Sequence, residues 1–282
     1  MSFDHIHHHV PPAQVIAQKY GLFASQVQHR LNVISAFDFG TSDRILEIGC
    51  GQGECTAVLA AALPKLKIDA VDPAPLDYGS PQTLGQAQTA LKATNLGSRI
   101  QFHQNDPITL LSQAGEDSFD GAVLCHCLWY FSNEEEILQT LVAAKGKVKN
   151  LYVAEWALKA TKPAAQAHVL AAMMRATCEA HIPDSDENIR TPVGPEAIKR
   201  LAQEAGWKLR KQDWIIPAEQ LQDGGWEVDM LLYQGGQSFL RRAKDKIKEE
   251  RIVVLLENML EAVKNAASGG VCSMDVWVGV FT

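Results

Sequence analysis

Apolar residues recur at spacings of three and four from residue 13 to residue 39, which is the period of a helix that buries one face. Gly21 interrupts this pattern and predicts two helices in place of one. A short, nearly all-apolar run follows at residues 45–48, then a glycine-rich turn, then a second helical pattern that ends at Pro64. The order strand, glycine loop, helix is therefore predicted for this part of the chain.

The alternation of short apolar runs with helical patterns continues to residue 156. The predicted strands are 68–71, 100–103, 119–124 and 151–156, and the predicted helices are 82–95 and 134–144. Strands that are apolar on both faces and joined by helices are typical of a parallel sheet covered on both sides. The sequence therefore predicts an α/β fold.

Beyond residue 156 the pattern changes. It predicts helices at 164–181 and 196–205, a strand at 207–216, a long helical region at 239–266 and a last strand in which Val276, Val278 and Val280 share one face. Glycine clusters predict turns between these elements: Asp223-Gly224-Gly225, Gly235-Gly236 and Ser268-Gly269-Gly270.

Composition and charge narrow the function. The chain has 282 residues, of which 46% are hydrophobic, so it suits one large globular domain with additions. Its 26 Lys and Arg against 33 Asp and Glu give a net charge of −7, so no overall positive field attracts a nucleic acid. The basic run 241–251 also contains acidic residues, which favours a solvated helix face. We therefore expect neither nucleic acid nor membrane as a partner.

Targeting and metal signals are weak. No run of 18 apolar residues occurs, and the first residues carry histidines in place of a basic and then apolar leader, so a soluble, cytoplasmic protein is expected. The histidines at the start favour an exposed tip over a metal site: His5, His7, His8 and His9. Six cysteines lack a disulfide framework and are expected to be reduced: Cys50, Cys55, Cys125, Cys127, Cys178 and Cys272.

The glycine loop between the first strand and its helix indicates a nucleotide-type cofactor. Gly49, Gly51 and Gly53 let the backbone turn sharply and let a ligand lie against the main chain, where open α/β sheets bind ligands. Glu54 stands where the dinucleotide motif has its third glycine, so NAD and FAD are disfavoured. A phosphate-binding Gly-Lys-Ser or Gly-Lys-Thr is also missing from the sequence.

Two further strand ends carry groups that suit an adenosine. Asp72 follows the second predicted strand, 19 residues after Gly53, close to the spacing of about 20 for an acid that binds ribose hydroxyls. Asn105 and Asp106 end the third, where a carboxylate can accept a hydrogen bond from the adenine amine. An adenosine site without a pyrophosphate is predicted.

With these motifs the sequence resembles the class I S-adenosylmethionine-dependent methyltransferases of small-molecule type. The resemblance rests on residues 45–53, Val71-Asp72-Pro73, Asp106, the strand 119–124 and Glu204-Ala205-Gly206-Trp207. It implies a Rossmann-like, doubly wound, seven-stranded and mostly parallel sheet with an antiparallel C-terminal strand. It also implies an N-terminal helical lid at 1–40 and a methyltransferase domain at 41–282, with helical insertions at about 157–194 and 217–270.

The resemblance further implies which residues bind S-adenosylmethionine and its product S-adenosylhomocysteine. Asp72 would bind the ribose diol, Asp106 the adenine amine and Tyr20 the cofactor carboxylate, while Glu47 would lie beneath the glycines. The complete set is Tyr20, Glu47, Gly49, Cys50, Gly51, Gly53, Asp72, Pro73, Asn105, Asp106 and Cys125. No metal is expected, because Cys125-His126-Cys127 has no Cys-x-x-Cys partner elsewhere.

The end of the fourth strand is expected to face the methyl acceptor. It lacks the Asn/Asp-Pro-Pro-aromatic motif of DNA-amine methyltransferases and carries an aromatic cluster instead. His126 is either a general base or a hydrogen-bonded wall residue, and Glu155 either holds the acceptor or is a solvated acid. The predicted catalytic residues are His126 and Glu155, and the predicted substrate-binding residues are Trp129, Tyr130 and Trp156.

A small-metabolite methyltransferase acting on an O, N or S nucleophile is thus the expected function. The alternatives are a protein or RNA methyltransferase and a cofactor-binding regulatory protein without transferase activity.

Overall fold

The computed structural model describes residues 10–39, 43–183, 185 and 187–282. The histidine run and the first nine residues of the predicted lid lie outside the described residues.

Within the described part of the chain, strands and helices alternate as the sequence predicts. The strands are β1 (Arg44–Ile48), β2 (Lys67–Asp72), β3 (Ile100–Gln104), β4 (Gly121–Cys125), β5 (Leu151–Trp156), β6 (Leu209–Ile215) and β7 (Val276–Phe281). The helices before β5 are α1 (Ala13–Tyr20), α2 (Ala24–Phe37), α3 (Glu54–Ala62), α4 (Leu84–Lys92), α5 (Pro107–Gln113) and α6 (Glu134–Ala144). Those after it are α7 (Gln166–Glu179), α8 (Pro195–Glu204), α9 (Asp223–Leu232), α10 (Gln237–Lys246) and α11 (Glu250–Ala267).

The seven strands form one sheet in the order β3-β2-β1-β4-β5-β7-β6, and β7 runs antiparallel to both of its neighbours. The predicted seven-stranded, mostly parallel sheet with an antiparallel C-terminal strand is confirmed. The chain winds outward from β1 to β3 and then returns to start again at β4. The loops after β1 and β4 therefore diverge, and this opens a crevice at the carboxyl ends of these strands.

Two apolar clusters hold the molecule together. The main core surrounds the sheet: β4, β5 and β7 are buried along their whole length, and α2 and α3 pack against each other on one face. The second cluster joins α7, α9, α10 and α11, which all lie within the predicted insertions, through residues such as Met174, Val228 and Leu260. The inserted helices therefore have an apolar core of their own.

The structure differs from the sequence predictions at three places. The helix α5 was missed; Asp106 caps it by accepting a hydrogen bond from the Thr109 amide at 2.7 Å. The long region 239–266 is two helices, since extended backbone at Ile247 separates α10 from α11. The Asp223-Gly224-Gly225 motif begins α9 and is not a turn.

The glycines of α9 have a packing role. A Cβ on Gly224 would lie 2.7 Å from the Cys272 carbonyl oxygen, so glycine lets the helix approach this backbone closely. The Gly235-Gly236 pair does form the predicted turn, with φ angles of +69° and +82°. Close packing, which a single sequence does not display, thus explains the wrong prediction at 223–225.

Among the described helices, none is both long enough and apolar enough to cross a lipid bilayer.

Candidate active site

The glycine loop lies in the crevice after β1 and has a left-handed backbone. The φ angles of Gly49, Gly51 and Gly53 are +73°, +52° and +87°. A Cβ on Gly49 would lie 2.6 Å from the Cβ of Cys127, whereas one on Gly51 would meet no protein atom within 4 Å. Gly49 is thus required by protein packing, while Gly51 leaves open space beside the main chain.

Asp72 connects this loop to the second strand. Its Oδ2 accepts a hydrogen bond from the Gly51 amide at 2.8 Å, and its Oδ1 accepts one from the Ala74 amide at 2.9 Å. The Asn105 amide donates to the Asp72 carbonyl at 3.2 Å. The structure therefore brings together three predicted cofactor residues at the ends of β1, β2 and β3: Gly51, Asp72 and Asn105. The exposed Pro73 follows Asp72.

Glu47, at the end of β1, is a buried acid beneath the loop. It is 2% exposed, and the Thr56 hydroxyl donates to its Oε2 at 2.6 Å. Burial raises the pKa of Glu47 to about 7, although the bond from Thr56 opposes this rise. The carboxyl group can therefore be neutral at physiological pH.

The cysteines around the loop are buried structural residues. The Cys127 thiol donates to the Ile48 carbonyl oxygen at 3.2 Å. Burial raises the pKa of Cys50 and of Cys127 above that of a free thiol. Cys125 is also buried and lies against Cys55.

Within the described residues no group of three or more His, Cys, Asp or Glu side chains is arranged to hold a metal ion.

The fourth strand ends in a strained residue. His126 has a φ of +54°, an unfavourable angle for a non-glycine residue, and its amide donates to the Ala154 carbonyl on β5 at 2.8 Å. Its ring lies 4.4 Å from the Trp156 ring. Burial lowers the pKa of His126, so its imidazole is neutral.

A second histidine, His29 on α2, meets this ring. The two Nε2 atoms are 2.9 Å apart, and His29 also stacks parallel to Trp156 at 5.8 Å between ring centres. Burial, then the neighbouring His126, lowers the pKa of His29. Two neutral imidazoles therefore share a hydrogen bond across the carboxyl ends of β4 and β5.

Glu155 supports the turn after β4 from the end of β5. It is 1% exposed, and its two oxygens accept hydrogen bonds from the Leu128 and Trp156 amides, both at 2.9 Å. Its Oε1 lies 3.5 Å from His126 Nδ1. Burial raises the pKa of Glu155 to about 7 against these bonds. The alternative of a solvated strand-end acid is therefore wrong.

The three predicted substrate-binding aromatics have different environments. Trp129 is buried, and its indole donates to the Val193 carbonyl at 3.1 Å, so it anchors the segment before α8. Trp156 is buried among His29, His126 and His168. Tyr130 is 47% exposed. Of the three, Tyr130 presents the most surface to a ligand.

Tyr20 lies at the end of α1, where its hydroxyl donates to the Asn95 side chain at 3.1 Å. This contact attaches the N-terminal helices to the segment after α4.

His29 and Arg30 were not among the residues predicted from the sequence. Arg30 donates to Gln26 at 2.9 Å and lies 3.4 Å from Glu54 at the start of α3, and Gln26 donates to Asp223 of α9 at 2.6 Å. These contacts tie α2 to the glycine-loop helix and to the inserted helices. The available signal was the helical spacing, since Gln26 and His29 share a face with the buried Val33.

The chain is similar to a methyltransferase domain family and to several individual proteins. Residues 45–147 match the model of a methyltransferase domain family. Methyltransferase phomM' of Diaporthe leptostromiformis is 28% identical over 325 aligned positions, which cover 92% of this chain and 84% of that protein. A cyclopropane-fatty-acyl-phospholipid synthase-like protein from Lactobacillus casei superposes with a TM-score of 0.80 at 29% identity, covering 92% of this chain and 91% of that one.

The fold extends to more distant enzymes. Phosphoethanolamine N-methyltransferase 2 of Haemonchus contortus, solved with S-adenosyl-L-methionine, gives a TM-score of 0.51 at 12% identity over 90% of this chain and 52% of that chain.

Proposed function

We propose that the chain is a class I S-adenosylmethionine-dependent methyltransferase and that it methylates an oxygen, nitrogen or sulfur atom of a small metabolite. The observation that carries the choice of a small acceptor is the position of α2 across the ends of β4 and β5. His29 contacts His126 at 2.9 Å, and Gln26 contacts Asp223 of α9 at 2.6 Å. A covered crevice suits a small molecule, whereas a polymer needs an open groove.

The glycine-loop residues suit the cofactor. S-adenosylmethionine supplies a methyl group on a positively charged sulfur. Gly51 leaves open space where a side chain would stand, and Asp72 is held by two backbone amides at the edge of that space. We assign Gly49, Cys50, Gly51 and Gly53 to the main-chain cradle, with Glu47 beneath it and Cys125 at the methyl end.

Asp72 and Pro73 are assigned to the ribose, and Asn105 and Asp106 to the adenine. Asp106 already accepts the Thr109 amide through Oδ2, which fixes its carboxylate at the strand end. Tyr20 is assigned to the carboxylate end of the cofactor, a role that requires its hydroxyl to leave Asn95.

The base system comprises His126 and Glu155. A neutral imidazole can accept a proton, and both groups lie at the carboxyl ends of adjacent strands beneath α2. We assign Tyr130 and the neighbouring Trp129 and Trp156 to the walls of the acceptor space.

The test is release of S-adenosylhomocysteine when the purified protein receives S-adenosylmethionine and either low-mass metabolite fractions or protein, RNA and DNA fractions. We expect turnover with the low-mass fractions only, and Asp72→Ala serves as the control that removes cofactor-dependent product. Turnover with protein or RNA alone would support the macromolecular alternative. Cofactor binding without any transfer would support the regulatory alternative.

A further inference from the structure

Both ring nitrogens of His126 face protein groups. Its Nε2 lies 2.9 Å from His29 Nε2, and its Nδ1 lies 3.5 Å from Glu155 Oε1. An acceptor cannot reach either nitrogen while these neighbours stay in place. The proton that leaves the acceptor therefore needs another first partner.

Electrostatics selects the tautomers of the two histidines. With Glu155 ionised, a ring N–H 3.5 Å from its Oε1 is favourable, whereas a ring lone pair at that place is repulsive, so the His126 proton belongs on Nδ1. His126 Nε2 is then an acceptor, and His29 must donate to it from Nε2. The lone pair of His29 consequently lies on Nδ1.

Two ring nitrogens of this pair are buried without a hydrogen-bond partner among the described residues: His29 Nδ1, and His126 Nδ1, which has Glu155 Oε1 at 3.5 Å, longer than a hydrogen bond. His29 as a whole is 3% exposed. Leaving such an atom unsatisfied costs about 1–3 kcal/mol, so a hydrogen-bond donor placed at His29 Nδ1 would be stabilised there. His29 also lines a cavity of about 320 Å³ between α1, α2 and the segment 218–221, a volume at the lower end of the range for small-molecule sites.

We propose that His29 Nδ1 is the atom that takes the proton from the methyl acceptor, and that His126 and Glu155 relay it. The proposal rests on the proposed function and names the residue that meets the acceptor in it. His29 is then the general base, His126 is the middle of the relay and Glu155 is its end.

The step balances as follows. The acceptor heteroatom forms a bond to the methyl carbon as the carbon–sulfur bond breaks, and the heteroatom's proton passes to His29 Nδ1. The His29 Nε2 proton moves to His126 Nε2 across 2.9 Å, and the His126 Nδ1 proton moves to Glu155 Oε1 once their 3.5 Å separation shortens to a hydrogen bond. The cationic sulfur becomes a neutral thioether, and the Glu155 carboxylate becomes a neutral acid.

The charged groups around the relay are consistent with this direction of transfer. Burial lowers the pKa of both His29 and His126, and Arg30, next to His29 on α2, lowers both to a smaller extent. His168 on α7 is neutral as well, because burial and then His126 lower its pKa to about 3. Glu155 from β5 is the acid that faces His126, and burial raises its pKa to about 7, so it can hold a proton.

The experiment compares His29→Ala and His29→Gln with wild type and with His103→Gln as a matched control. His103 is partly exposed and pairs with Asp69 at 2.9 Å, outside the relay. With an acceptor found as above, we expect the turnover of His29→Ala to fall by about 10²–10⁴-fold, as for loss of a positioned base. Cofactor affinity measured by calorimetry should stay within a few-fold, and His103→Gln should keep wild-type turnover.

Two readouts separate a base from a packing residue. Added imidazole should restore part of the turnover of His29→Ala but not of His29→Gln, and the acidic limb of the wild-type pH profile should disappear in both variants. Turnover within a few-fold of wild type in His29→Ala would overturn the proposal. A loss without rescue and with an unchanged pH profile would overturn it as well, since it would show a structural role.

Nitrogen-15 NMR of histidine-labelled protein tests the tautomers without any acceptor. The signal that His29→Gln removes should belong to a ring with an unprotonated Nδ1, and a protonated Nδ1 at neutral pH would refute the relay. Failure of wild type to methylate any acceptor would overturn the proposed function and this inference together. If the wild-type protein methylates an acceptor, the His29 variants test this inference separately from the proposed function.

Discussion

The Gly51 amide donates to Asp72 Oδ2 at 2.8 Å, so one carboxylate joins the glycine loop after β1 to the end of β2. The same carboxylate accepts the Ala74 amide through its other oxygen. These bonds fix its orientation before any ligand arrives, which lowers the cost of ordering the site on binding. Asp72 therefore holds the loop, and under the proposed function its remaining lone pairs would accept hydrogen bonds from a ribose.

Removing this carboxylate should weaken the cofactor site strongly. We expect Asp72→Ala to raise the dissociation constant for S-adenosylmethionine by at least about 10-fold, since hydrogen bonds to a charged group contribute about 1.5–3 kcal/mol. Isothermal calorimetry measures this change. The exposed Asp77 provides the matched control, and Asp77→Ala should bind as wild type. Submillimolar binding that survives intact in Asp72→Ala would contradict the ribose assignment.

The three alanine variants Gly49→Ala, Gly51→Ala and Gly146→Ala separate a ligand cradle from packing. All three glycines have positive φ, but a Cβ on Gly51 or Gly146 meets nothing within 4 Å, whereas one on Gly49 would collide with Cys127. We expect Gly51→Ala and Gly146→Ala each to lower the free energy of unfolding by about 1–2 kcal/mol, because alanine is strained at a positive φ. Gly49→Ala should lose more, because its Cβ also collides with Cys127. Urea unfolding measures these losses.

Cofactor binding then distinguishes the two open positions. Gly51→Ala should weaken S-adenosylmethionine binding by at least about 10-fold, because its new methyl group fills the space beside the main chain. Gly146→Ala should leave binding unchanged. Equal affinities in the two variants would show that Gly51 does not face the cofactor.

The buried Glu47 should make stability depend on pH. Its pKa is raised from 4.5 to about 7 in the folded protein, so the folded state binds more protons than the unfolded state between these values, and stability falls as pH rises through this window. Glu47→Gln removes this loss and keeps an oxygen for Thr56. We expect the variant to gain up to about 3 kcal/mol relative to wild type between pH 5 and pH 8, from 1.4 kcal/mol per pKa unit.

Urea unfolding at the two pH values checks this expectation. The exposed Glu116 supplies the control, and the difference between Glu116→Gln and wild type should not change with pH. A Glu47→Gln difference that is the same at pH 5 and pH 8 would contradict a raised pKa.

The sequence predicted the cofactor side of the molecule because its determinants are local. Glycines at a strand-to-helix turn, and acids at the ends of strands, are visible in short segments, and the alternation of strands and helices fixes their common edge. The Gly51–Asp72 bond shows that two such segments meet at this edge. The roles of individual residues in binding the cofactor remain predictions.

The surroundings of His126, which we propose to face the methyl acceptor, are formed by contacts between segments that are distant in the chain. His29 and His126 are 97 residues apart in the chain, and Gln26 and Asp223 are 197 apart. Helical periodicity shows that His29 belongs to a buried face, but which strand end it meets depends on how α2 packs. His29 therefore cannot be distinguished in the sequence from other buried helix residues. The packing partners of the inserted helices cannot be predicted from the sequence for the same reason.

The adjacent glycines at the start of α9 provide a last test of how that helix is positioned. Gly224 and Gly225 share the first turn, yet a Cβ on Gly224 would lie 2.7 Å from the Cys272 carbonyl oxygen, and one on Gly225 would meet nothing within 4 Å. We expect Gly224→Ala to destabilise the protein by about 1–3 kcal/mol through overpacking. Gly225→Ala should be neutral or stabilise it by about 0.5 kcal/mol, since alanine has a higher helix propensity than glycine.

Gly224→Ala should also reduce methyl transfer more than cofactor binding, because the neighbouring Asp223 accepts a hydrogen bond from Gln26 of α2. Equal unfolding free energies for the two variants would show that α9 does not pack against residues 272–273 at this distance.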